Sequence, residues 1–175
     1  MKRILSGGAL LLALSALAVG CQPQPARETP APAPAGPDLV GQWRATQQFK
    51  DGPFAAVPDL EFLYVFNAGG TMMESSNYDG LPPVPPAYGI WRRNGPNTFE
   101  LKYEFYPTKP PAALDELLKG GGWGPAGRGV LTETLTLSAD GDSFTSTLHF
   151  QALDAAGKPV AGGGDAVGHG VRLKF

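Results

Sequence analysis

The chain has 175 residues, 42% of them hydrophobic, and 14 Lys and Arg against 16 Asp and Glu, a formal net charge of −2 at pH 7. Its basic residues form no stripe, so the counterion release that drives phosphate binding has no footprint and nucleic acid is not an expected partner. With a single cysteine, Cys21, no intramolecular disulfide is possible, and any fold must rest on its own core.

At the amino terminus, Lys2 and Arg3 precede a Leu- and Ala-rich run from Ile4 to Val19, followed by Gly20. This is the pattern of an export signal. The run is about sixteen residues, short of the roughly 20 needed for a permanent spanning helix, and its far side carries no charged flank, so cleavage is expected. Ala18-Val19-Gly20-Cys21 resembles the lipobox of bacterial lipoproteins, with Ala18 where that family prefers Leu. The resemblance implies cleavage after residue 20 and lipidation of Cys21, so that a membrane is a partner through the lipid. A small residue in a soluble signal peptide, or a free thiol, is the plain alternative for Cys21. Several acyl chains, at roughly 0.8 kcal/mol per buried methylene, exceed the threshold for stable anchoring.

Residues 22–37 are mostly Pro, Ala and Gln and read as a tether reaching up to roughly 50 Å when extended. Gln22, rather than Asp, after the cysteine implies, by resemblance to Gram-negative lipoproteins, an outer-membrane anchor facing the periplasm. The expected organisation is a leader over 1–20, a lipidated cysteine and tether over 21–38, and one domain over 39–175.

Within 39–175 the dominant signal is alternation. Phe99, Leu101, Tyr103 and Phe105 share one face of "TFELKYEFY", opposite Glu100, Lys102 and Glu104. Phe144, Ser146, Leu148 and Phe150 likewise oppose Thr145, Thr147 and His149, the signature of half-buried strands. With "NAGG", "RNGPN", "SADGD" and "DAAGK" as hairpin connections, strands are expected near 40–49, 60–67, 70–76, 87–93, 97–106, 129–138, 143–153 and 166–175. About eight antiparallel strands point to an all-β fold, a single closed barrel without free edges; a β-sandwich is the alternative.

"LVGQW" at the start and "GVRLKF" at the end resemble the lipocalin and calycin superfamily, and "FNAGGTMMES" with "YGIWRRNGPNTFEL" resembles its bacterial early hairpins. The resemblance implies that Gly41 and Trp43 close one barrel end, with Arg172 against the tryptophan. No counterpart of the family's Thr-Asp-Tyr motif is present. Strict alternation also sets Arg172 opposite Val171, Leu173 and Phe175, a register that a bulge near Gly168 or Gly170 would repair. Trp43 as plain core and Arg172 as a solvated residue is the alternative.

Two segments break the hairpin rhythm. Residues 107–127 are too long for a simple connection and are expected to hold a short helix, with Pro111 in its first turn, Leu114, Leu117 and Leu118 on one face, and Gly120 at its end. It packs outside the sheet or, with Trp123 among glycines, forms a lid. "YDGLPPVPPAYG", 78–89, reads as a stiff connection or docking surface, or as an entrance lined by tyrosines.

Catalytic signatures are scarce. His149 and His169 lack metal-ligand spacing, no serine lies in a Gly-x-Ser-x-Gly elbow, and "GGGDAVGHG" lacks the Lys and Ser/Thr of a phosphate loop. No metal, cofactor or catalytic residue is expected. The oddity is Glu133, which alternation groups with Leu131, Leu135 and Leu137. Facing the interior, it would be desolvated and orient a ligand or act as a base; otherwise it reaches water at a barrel end, or the strand is flipped. The leading expectation is a noncatalytic envelope lipoprotein whose barrel binds a small apolar or amphipathic ligand, lined by Phe99, Tyr103, Phe105, Glu133 and Phe150, or an envelope protein. The alternative is a barrel enzyme of the calycin-like cyclase or isomerase type.

Overall fold

The computed structural model of the chain describes residues 36–78, 85–119 and 121–175. The expected leader, Cys21, the expected tether through residue 35, residues 79–84 of the proline-rich segment and Gly120, expected to end the helix, lie outside the described residues.

The strands are β1 (Gly41–Phe49), β2 (Glu61–Phe66), β3 (Thr71–Ser76), β4 (Ala87–Arg93), β5 (Thr98–Phe105), β6 (Thr108–Lys109), β7 (Gly124–Pro125), β8 (Arg128–Leu137), β9 (Ser143–Leu153) and β10 (Pro159–Arg172), with one helix, α1 (Leu114–Leu118). Eight of them close into one antiparallel barrel in the order β1-β10-β9-β8-β5-β4-β3-β2. Every barrel strand pairs with its neighbour in the chain, and β1 meets β10 to complete the ring, which rules out the sandwich. Such a ring has room for one layer of side chains or one small ligand.

Alternation decides what faces inward. On β8, Leu131, Glu133, Leu135 and Leu137 are buried while Thr132, Thr134 and Thr136 are exposed; on β9, Phe144, Ser146, Leu148 and Phe150 are buried. Glycines with positive φ make the tight turns, among them Gly69 and Gly70 at +99° and +87° between β2 and β3.

The last strand corrects the expected register. It begins at Pro159 rather than near 166, and its irregularity falls between Val160 and Gly164, around Gly162 with φ +119°, not at Gly168 or Gly170. From Gly164 onward the pairing with β9 is unbroken, and Ala166, Gly168, Gly170 and Arg172 face the interior while Val167, Val171 and Leu173 face out. The apolar residues lie on the solvent side because the inner side has no room: a Cβ on Gly168 would lie 2.5 Å from both Ser146 Oγ and Gln47 Oε1, and one on Gly170 would enter the Phe144 ring.

One barrel end is plugged. Trp43 is fully buried, its ring 5.3 Å from that of Phe144, and its Nε1 donates to Leu39 O at 2.9 Å. Arg172, its cross-strand partner, lays its guanidinium 4.2 Å over the indole and donates to Val40 O (2.7 Å), Gly141 O (2.9 Å) and Asp38 O. Gly41 is needed beside them twice over, for its φ of +137° and because a Cβ there would lie 2.8 Å from Arg172 Nη1.

Residues 107–127 form the two-stranded β6–β7 ribbon and the single-turn α1, whose Asp115 pairs with Lys119 at 2.5 Å. Leu117 and Leu118 are exposed, so these two leucines do not form the packed face that their spacing suggests.

Candidate functional site

Six barrel strands each turn one polar side chain inward: Gln47 (β1), Tyr64 (β2), Glu74 (β3), Tyr103 (β5), Glu133 (β8) and Ser146 (β9), all buried. Glu133 organises them. Tyr103 and Tyr64 both donate to its Oε2, at 2.9 and 3.0 Å, and Gln47 Nε2 donates to its Oε1 at 3.4 Å and to the Tyr64 hydroxyl at 3.0 Å. The inward-facing glycine at 168 leaves the space that Gln47 and Ser146 fill.

This layer holds two acids and, among the described residues, no buried cation. Desolvation raises the Glu133 carboxyl above its ordinary value, opposed by the nearby Ser146 hydroxyl and by the hydrogen bonds from Tyr103, Tyr64 and Gln47. Ser146 Oγ itself does not reach hydrogen-bond geometry with any described residue, so the tyrosines and Gln47 carry the direct contacts. Burial, and then the Glu133 charge, push Glu74 up to about 8. Burial and the same carboxylate hold both tyrosines well above their ordinary value, so they remain neutral donors. No described residue hydrogen-bonds to the Glu74 side chain, and its buried Oε1 is unpaired.

Above the layer, at the end away from Trp43, lies a cavity of about 540 Å³. Its wall is mostly apolar, including Phe49, Phe54, Phe62, Phe105, Leu131 and Phe150; Glu74 is the buried acid in its lining and Arg128 the basic one. Phe54, from the β1–β2 connection, brings its ring within 6 Å of those of Phe49, Phe150 and Tyr78.

Of the residues suggested for ligand contact, Phe105 and Phe150 therefore line the cavity, while Tyr103 and Glu133 belong to the polar layer and are not in its lining. Phe99 lies elsewhere, 5.8 Å from the Trp91 ring with the Arg93 guanidinium 4.5 Å over it. Glu74 and Gln47 escaped the sequence reading, although alternation carries both: Met72 and Glu74 share a face of "TMMESS", and Trp43, Ala45, Gln47 and Phe49 share one of "WRATQQF". His149 and His169 are exposed, the former 2.7 Å from Asp165, and among the described residues no cluster of His, Cys, Asp and Glu is arranged to hold a metal. No described helix is long and apolar enough to cross a membrane.

Comparison with known proteins adds no assignment: no protein-family model matches the chain, and no curated protein matches its sequence.

Proposed function

We propose that this chain is an exported, lipid-anchored envelope protein with a lipocalin-like barrel that holds a small amphipathic molecule. The cavity carries the reading: an apolar wall suits a hydrocarbon body, and a buried acid in its lining, its Oε1 unpaired among the described residues, suits one polar group. Native mass spectrometry of the protein gently extracted from its own host and delipidated is expected to find a retained small molecule, which Ala152→Trp, filling the cavity, removes. A chain that carries no adduct, or keeps it in that variant, overturns the ligand reading and leaves an envelope protein as the partner to pursue.

The anchor rests on Lys2, Arg3, the apolar run and the Cys21 context. Cys21→Ser is expected to block acylation and leave unprocessed or mislocalised precursor; membrane-bound, acyl-free mature protein from that variant overturns it.

A second reading, a cyclase or isomerase, is favoured by the place of Glu74: it is a buried acid in the cavity lining, and burial pushes its carboxyl up to about 8, where it can exchange a proton near neutral pH. Recovery of a molecule chemically altered by the wild-type chain but not by Glu74→Gln would support that reading over simple carriage.

A further inference from the structure

We infer that the occupant of the cavity is a cationic amphiphile, its protonated amine seated on Glu74 and its apolar body against Phe49, Phe62, Phe105 and Phe150. The inference rests on the reading of the cavity as a ligand site and adds the chemical class of the ligand.

The charge inventory around Glu74 points this way. Tyr64 pairs with it from β2, Ala87 faces it from β4, and Tyr103 and Glu133 stand across the interior on β5 and β8. These neighbours are an acid, two neutral hydroxyls and an apolar residue. The hydroxyls are already committed to Glu133, and Tyr64 also accepts from Gln47. The basic residue in the cavity lining, Arg128, is half-exposed and lies 3.3 Å from the Glu104 carboxylate on the outer side. Among the described residues no buried cation offsets these two acids when they ionise, so a ligand cation is what would stabilise their charged form.

An anionic headgroup would bring a third acid to Glu74 and Glu133, and a neutral one would do nothing to stabilise the ionised form of either. An ammonium group donates to the Glu74 carboxylate, whose Oε1 is unpaired among the described residues, and favours its ionised form. Where Glu74 is protonated in the free protein, seating the ammonium sends the carboxyl proton to solvent, so binding strengthens as pH rises toward about 8.

Three probes of equal length separate the possibilities: octylammonium, 1-octanol and octanoate, titrated calorimetrically into the mature chain. At pH 7.5 octylammonium is expected to bind at least tenfold more tightly than octanol, with octanoate weakest. Its affinity should rise by up to about tenfold per pH unit between pH 6 and 7.5. In Glu74→Gln the ratio of octylammonium to octanol affinity should fall to within about twofold of one. The pH slope of the wild-type chain tests the idea without any variant. Equal binding of octanol, preference for octanoate, a slope of the opposite sign, or an amine preference that survives Glu74→Gln each overturns the amine assignment while leaving the cavity a ligand site. Failure of all three probes to bind overturns both.

Discussion

Raising the pH from 4.5 to 8 is expected to lower the unfolding free energy of this barrel, and Glu74→Gln to remove much of that dependence. In the unfolded chain Glu74 ionises near its ordinary value of 4.5; folded, burial and the Glu133 charge hold its proton until about 8. Between those values the native state binds more protons than the unfolded one, so stability falls as pH rises. Its contribution is fully present below about 4.5 and lost by the time the pH passes 8. At about 1.4 kcal/mol per pH unit, this shift sets a ceiling on the order of 5 kcal/mol. Glu133, also raised by burial, adds a term of the same sign. Glutamine keeps the shape of the neutral acid without the charge, so the variant should be the more stable protein at pH 8. Urea unfolding of both chains across this range checks it; a wild-type curve that is flat, or climbs with pH and is unchanged in the variant, contradicts the placement of Glu74 in a desolvated layer.

Trp43→Ala should cost about 3 to 5 kcal/mol, in the range for a fully buried aromatic ring. The loss goes beyond the cavity. Trp43 carries the stacking surface for Arg172 and is tied to Leu39 through its indole N–H, so the substitution removes the packing under a guanidinium that itself ties the β8–β9 side of the barrel to the segment before β1. Trp123, 38% exposed on the excursion between β5 and β8, is the internal control, and its alanine variant should change stability by about 0.5 kcal/mol or less. Chemical denaturation of the two variants separates the cases, and a cost below about 1 kcal/mol at Trp43 would mean that the plugged end does not support the barrel.

The plugged end and the cavity thus have different physical characters in one ring. At one end Trp43, Phe66, Phe99 and Phe144 fill the interior; at the other, aromatic side chains line a space they do not fill. Between them the Glu133 layer fixes the tyrosine hydroxyls. Glu74 is left as the acid on the cavity side.

What the sequence determined by itself is the set of eight barrel strands, apart from where the last begins, and, for most of them, which side faces in. A strand turns successive side chains to opposite faces, so "TFELKYEFY" and "SFTSTLHFQA" declare their buried sides locally, and Glu133 falls among leucines by the same period. Three of the hairpin turns are equally local, since Gly69 and Gly70, Gly141 and Gly157, all with positive φ, stand between the apolar runs. The tertiary structure decided what depends on several strands at once. It placed Glu74 with Glu133, because a layer of residues from six strands exists only after the ring has closed and its register is set. It put Phe105 at the cavity and Phe99 at the other end, although both share one face of one strand. It also turned Val167 and Val171 outward in favour of glycines, because the volume inside was already taken by Phe144, Gln47 and Ser146 from neighbouring strands, and a steric limit set across strands overrides the apolar pattern along one.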